Sequence, residues 1–181
     1  IYISKVGHYK TLNSKNQLLI CKGIDKQGAP FYADEAQAYG LDFSGFSTQA
    51  AFLDYDGDGD LDMFLLNHSV NHDGNYAPRK DFLNTYDSLA GQKLYRNELT
   101  KTTDGKKTIH FINVTKQAGI NGNKIGYGLG IAVADINLDG WPDMYVGNDF
   151  HENDYLYINQ KNGTFTEEGS LSLMHTSQFS M

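Results

Sequence analysis

Five aspartates, Asp54, Asp56, Asp58, Asp60 and Asp62, fall within the short stretch LDYDGDGDLDMFLL. Carboxylates two residues apart converge only if the loop wraps around one point, and once converged they repel. A hard cation such as Ca²⁺, which takes about six to eight oxygen ligands, removes that repulsion. Counted from Asp54, carboxylates stand at the first, third, fifth and ninth positions. Gly59 at the sixth permits the sharp turn, and the backbone carbonyl of Asp60 at the seventh adds a ligand. The pattern recurs at Asp135, Asn137, Asp139, Gly140, Trp141 (through its carbonyl) and Asp143. Neither loop is an EF-hand, because the position that would need Glu holds Leu65 or Val146 and an apolar strand follows. The ninth residues, Asp62 and Asp143, are therefore expected to close each site, as bidentate carboxylates. Two such loops predict two Ca²⁺ sites, against the alternatives of Mg²⁺, Mn²⁺ or an acidic turn without metal. Asn137 leaves the second loop with less charge, which predicts the lower affinity there.

Other polar groups are less specific. Residues 67–92 form a long insertion carrying His68, His72, Arg79, Lys80 and Asp81. It is read either as a ligand surface or as a loop packed over a neighbouring unit. His68 and His72 have a spacing that would suit zinc on a helix, but Asn, Asp and Gly surround them. His72, Arg79 and Asp81 could supply a general base and a charge-stabilising group only if they converge, and no nucleophile motif is present. NDFHENDY (148–155) is read as a solvated hairpin turn in preference to a further metal contact. Asn67 and Asn148 are expected to bond the turn backbone. GYGLG (126–130) precedes a strand, so it is not a phosphate loop. Phe46, Phe52, Phe64, Tyr127 and Tyr145 are read as packing aromatics. Cys21 is the only cysteine, so no internal disulfide forms; it is expected to pack inside a strand.

The elements that must hold the loops are legible as a repeat. AAFLDYDGDGDLDMFLLN (50–67) matches IAVADINLDGWPDMYVGN (131–148), an offset of 81 (135 − 54). KLYRNE from Lys93 then matches YLYINQ from Tyr155, and FINVT from Phe111 matches FTEEG from Phe165. Each unit reads as four short antiparallel strands, in the first copy near 46–53, 61–66, 93–97 and 109–115, with TDGKKT and NGTF as turns. No helical periodicity persists. The weakest exclusion of helix is 86–92. IYIS and SQFSM at the two ends look like parts of further copies, which predicts a fragment, or the ordered part, of a longer protein.

DYDGDGDLDMFLLN and ADINLDGWPDMYVGND, followed by LYRN and LYIN, resemble FG-GAP/VCBS repeats, and most closely those of cartilage-acidic-protein-like (ASPIC/UnbV-type) proteins. The resemblance implies an all-β fold of β-propeller blades stapled by Ca²⁺, as in integrin α heads. It places a blade remnant at 1–42, blades at 43–120 and 121–174, and the start of another at 175–181. It also implies a secreted or cell-surface address (outer-membrane-associated if bacterial) and non-catalytic recognition of a surface protein or glycan. The rest of a longer propeller or a larger complex is a further expected partner. The alternatives are a propeller-type polysaccharide lyase or hydrolase, and a structural subunit of a surface assembly. A net charge of −7 argues against nucleic acid as partner, and no apolar run is long enough to span a membrane.

Overall fold

The computed structural model describes residues 1–7, 10–70, 81–82, 85–101, 107–150 and 152–172. Three antiparallel sheets account for the strands, and none closes on itself. The first has β1 (Tyr2–Ile3), β2 (Gln17–Ile24) and β3 (Pro30–Asp34) in that order. The second runs β4 (Ser47–Leu53), β5 (Asp62–Asn67), β6 (Lys93–Lys101) and β7 (Lys107–Asn113). The third repeats it with β8 (Gly128–Ala134), β9 (Asp143–Asn148), β10 (Tyr155–Asn159) and β11 (Phe165–Glu167).

The two four-stranded sheets share register as well as order. Leu53 pairs with Asp62 and Ala134 with Asp143, and a bulge breaks the first pairing of each sheet at Ser47/Gln49 and Gly128/Gly130. The β6–β7 hairpin runs further than its sequence suggested, as far as Lys101 and Lys107. Two single helical turns, α1 (Ala36–Tyr39) and α2 (Gly169–Ser172), correct the expectation of no helix; four residues are too few to leave a periodicity. Gly40 and Gly119 close matching turns after β3 and β7, each with positive φ and each followed by a buried residue, Leu41 or Ile120.

Burial follows the alternation of strands. On β5, Met63 and Leu65 join the cluster with Leu18, Leu41 and Tyr95 facing the first sheet. Phe64 and Leu66 join the cluster with Met144, Val146, Tyr155 and Tyr157 facing the third. The middle sheet is therefore apolar on both faces, which is why DMFLLN is buried at every position. On β9 only one face has a neighbour among the described residues, so Met144 and Val146 are buried while Tyr145 and Gly147 are half-exposed. The third sheet meets the second near their first strands, where Thr48 Oγ1 donates to the Gly128 carbonyl (3.5 Å) and Ile131 N–H to Gln49 Oε1 (3.2 Å).

Two packing expectations need correction. Cys21 is exposed, because it alternates away from Ile20 onto the face of the first sheet that none of the described residues covers. Phe52 is 41% exposed, with its ring edge-on to Tyr2 at 6.3 Å, whereas Phe46, Phe64 and Tyr127 are buried. No helix among the described residues is long and apolar enough to cross a membrane.

Candidate metal centre

Each acidic loop joins the first two strands of its sheet, residues 54–61 between β4 and β5 and residues 135–142 between β8 and β9. The loops share one backbone path. Position four is left-handed in both, at Gly57 (φ 74°) and Leu138 (φ 60°), and so is position six, at Gly59 (φ 91°) and Gly140 (φ 88°). The sixth position was read from sequence; the fourth was not, because Leu there disguises the match.

In the first loop Asp54, Asp56 and Asp58 each offer one carboxylate oxygen, all within 4.8 Å of one another. Two ligands of one Ca²⁺ ion lie at most about 5 Å apart, so this spacing fits a single coordination sphere. Asp54 is oriented by Gly57 N–H on Oδ1 (2.9 Å) and Gly59 N–H on Oδ2 (3.1 Å). Asp58 Oδ1 accepts from Asp60 N–H at 3.0 Å. Asp56 Oδ1 and Asp60 Oδ1 are buried and have no hydrogen-bond partner. Burial, and then the charges of Asp58 and Asp54, raise the Asp56 pKa; burial followed by Asp58, Asp56 and Asp54 raises that of Asp60. Orphaned oxygens and mutual repulsion are the two penalties that a cation would remove.

Asp62 has a different position from its neighbours. It is fully buried beneath the loop, with Oδ1 accepting from Asn97 N–H (2.8 Å) and Oδ2 from Tyr55 N–H (3.2 Å). Burial pushes its pKa up to about 7, against the pull of those two bonds and with Asp56 and Asp60 adding repulsion. The side chain thus ties the loop to β6. Asp143 repeats the arrangement, with Oδ1 bound by Asn159 N–H (2.8 Å) and Oδ2 by Ile136 N–H (2.9 Å), and adds a bond from Asn137 N–H to Oδ2 (3.3 Å). Asn97 and Asn159 were missed by the sequence reading. They stand at matching positions in LYRN and LYIN, and each also donates its side-chain amide to the loop, at the Leu61 and Pro142 carbonyls.

The second loop has the same frame with different chemistry inside it. Asp135 Oδ1 and Oδ2 accept from Asp139 and Gly140 N–H, both at 2.9 Å, and Asp139 Oδ1 accepts from Trp141 N–H at 3.0 Å. Asn137 Nδ2 donates to Asp139 Oδ2 at 2.9 Å, and Lys161 Nζ lies 3.3 Å from that same oxygen. Desolvation works upward on Asp139, but the bonds from Asn137, Trp141 and Lys161 outweigh it and lower its pKa. The two loops are neighbours. A Cβ on Gly57 would come within 2.7 Å of the Trp141 ring, and the Tyr55 carbonyl accepts from Asn159 Nδ2 at 2.8 Å.

The opposite end of the sheets holds the remaining candidates. Asn67 and Asn148 are fully buried and bond backbone as expected, at the Gly91 and Asn153 carbonyls. The solvated-hairpin reading of 148–155 is corrected. Glu152 is fully buried and accepts from Asn123 Nδ2 (3.1 Å), and Asp154 accepts from Asn148 N–H (2.6 Å) and Tyr145 Oη (2.5 Å). These carboxylates serve as internal acceptors, at the end of β9 far from Asp143. The described ends of the long insertion run along the third sheet's entry: His68 bridges to Tyr127, Tyr86 to Asn123, and Lys124 N–H bonds the Thr85 carbonyl. Burial lowers the His68 pKa, with a backbone bond at Gly128 and the Asp149 charge acting the other way. His72, Arg79 and Lys80, and the 177–181 stretch read as a new repeat, lie outside the described residues.

Residues 135–180 match the family described as FG-GAP-like repeat, a span that starts at the first aspartate of the second loop and takes in β9, β10, β11 and α2. No curated protein matches the chain.

Proposed function

We propose that the chain is part of a calcium-stapled β-propeller that recognises a protein or glycan outside the cell or at its surface, without catalysis. On this reading 43–120 and 121–174 are successive blades, 1–42 is the remnant of a preceding blade and 175–181 opens another. The observation that carries it is the third sheet's repetition of the second, in strand order, register, bulge and loop path, next to a match to an FG-GAP-like repeat. Kinship to cartilage-acidic-protein-like proteins belongs to the same reading and is carried by the loop and LYRN motifs. The residues present fit Ca²⁺: Asp54, Asp56, Asp58, the Asp60 carbonyl and Asp62 would hold one ion, and Asp135, Asn137, Asp139, the Trp141 carbonyl and Asp143 another. The ion supplies positive charge that cancels carboxylate repulsion and links the two strands flanking each loop. The protein's part is to fix the loop path through the left-handed positions and the Asn97 and Asn159 bonds. The insertion at 67–92, whose described ends lie at the end of the sheets away from the loops, is the surface assigned to the partner.

Thermal melts test this. Native chain should melt higher with Ca²⁺ than with EDTA, by about 2.7 kcal/mol of stability for each site whose Kd is a hundredth of the free Ca²⁺. Asp58→Ala should lose the first loop's share of that response. A native midpoint indifferent to Ca²⁺ refutes the reading, and an equal response to Mg²⁺ reassigns the ion.

A further inference from the structure

We propose that Lys161 is a built-in competitor for the cation of the second loop, so that the first loop fills with calcium before the second. The inference rests on the calcium reading above and adds to it the residue that sets the two affinities apart.

Lys161 lies in the turn between β10 and β11, not in the acidic loop itself. Its backbone is held there: the N–H donates to Asn159 Oδ1 at 2.8 Å, and φ is +60°. From that turn the side chain returns over the loop. Nζ sits 3.3 Å from Asp139 Oδ2 and 3.3 Å from the Asp139 carbonyl, so one ammonium addresses both acceptors of the fifth loop position. Asn137, at the third position, turns its amide donor onto the same Asp139 oxygen. Asp139 Oδ2, the oxygen this position would turn to a metal, thus already faces two donors, one of them charged.

Among the described residues the first loop shows no counterpart of this arrangement at the matching place. The residue 62 positions earlier (161 − 62) is Leu99, which carries no charge. Arg96, whose charge acts on Asp56, is paired with Glu98. The oxygens of Asp56 and Asp60 that lack a partner both belong to the first loop. A divalent ion entering the first loop meets carboxylates in need of a counter-charge. One entering the second must displace an ammonium or sit beside it. Removing that like charge at contact range should strengthen binding about tenfold or more, and the gain should shrink as salt screens it.

Calcium chloride titrations of the native chain, Lys161→Met and Lys161→Arg test the assignment. Trp141, the only tryptophan, occupies the seventh position of the second loop with its ring against Gly57 of the first, so its fluorescence is followed in an Asp58→Ala background, where it reports the second loop, while calorimetry of the chain with Asp58 intact counts all binding. Lys161→Met should move the Trp141 midpoint to about tenfold lower calcium or further, leave the tighter calorimetric step in place, and lose its advantage at high salt. Lys161→Arg should keep the native midpoint. Lys161→Asn, whose side chain tolerates the left-handed backbone, repeats the charge removal if the Met variant folds poorly. A Trp141 midpoint unmoved by both charge-removing variants, or both steps moving together, overturns the proposal while calcium binding itself stands. An absence of calcium binding in every protein overturns the calcium reading and this inference with it.

Discussion

At the scale of single residues, the loops show where side chain and backbone disagree. Position four needs a left-handed conformation in both loops, and Gly57 adopts it freely whereas Leu138 does so at φ 60°. A side chain in that region costs about 1–2 kcal/mol. Leu138 is 88% exposed, so no burial offsets the strain. Leu138→Gly should therefore raise stability by roughly 0.5–1 kcal/mol, after the extra entropy of an unfolded glycine is counted. Leu138→Asn should follow the same direction. Denaturant melts without calcium decide it, and a loss of stability in both variants would show that Leu138 makes a contact worth more than its strain. Residue identity alone did not reveal this position, since the aspartates drew the match and a leucine among them reads as filler.

Among the elements, the two acidic loops act through each other. The Trp141 ring lies against Gly57, and Asn159 reaches from β10 to the Tyr55 carbonyl of the first loop and to the Pro142 carbonyl of its own. Gly57 and Gly59 separate the contributions. Both have positive φ, but a Cβ at Gly57 would meet the indole at 2.7 Å, while a Cβ at Gly59 meets nothing within 4 Å. Gly57→Ala should cost about 1–3 kcal/mol more than Gly59→Ala in thermal melts, since it adds a clash to the same backbone strain. Equal losses would mean that the indole simply moves aside. The four-strand unit, its turns and the acidic loops were legible because alternation, turn residues and charge are local signals. The tie between loops was not: it joins Tyr55 to Asn159 across two sheets, and only the stacking of one repeat on the next creates it. The buried Glu152 and Asp154 were misread for a different reason, because their partners Asn123, Tyr145 and Asn148 come from the same repeat and close around them only once its strands pair.

For the whole molecule, the middle sheet decides whether the three sheets melt as one. Its strand β5 sends Met63 toward the first sheet and Phe64 toward the third, and both side chains are completely buried. Truncating either leaves a cavity in one interface only, at about 2–5 kcal/mol for Met63→Ala and about 3–5 kcal/mol for Phe64→Ala. Phe64→Ala strikes the cluster shared with Tyr157, whose ring is 6.4 Å away and whose hydroxyl donates to Gln92 Oε1 at 2.9 Å. That loss falls at the interface of the two sheets whose acidic loops meet at Gly57 and Trp141. Met63→Ala strikes the far interface, where Leu18, Leu41 and Tyr95 meet. If the stacked sheets form one cooperative unit, Trp141 fluorescence and far-ultraviolet circular dichroism should report the same lowered midpoint in both variants. If each interface stands alone, Met63→Ala should leave the Trp141 transition at its native temperature while part of the dichroism is lost earlier. Repeats that contact only their neighbours melt together when the interface terms outweigh the stability of each unit by itself. A strand buried on both faces, with a different neighbour on each, is the arrangement that gives the interfaces that weight.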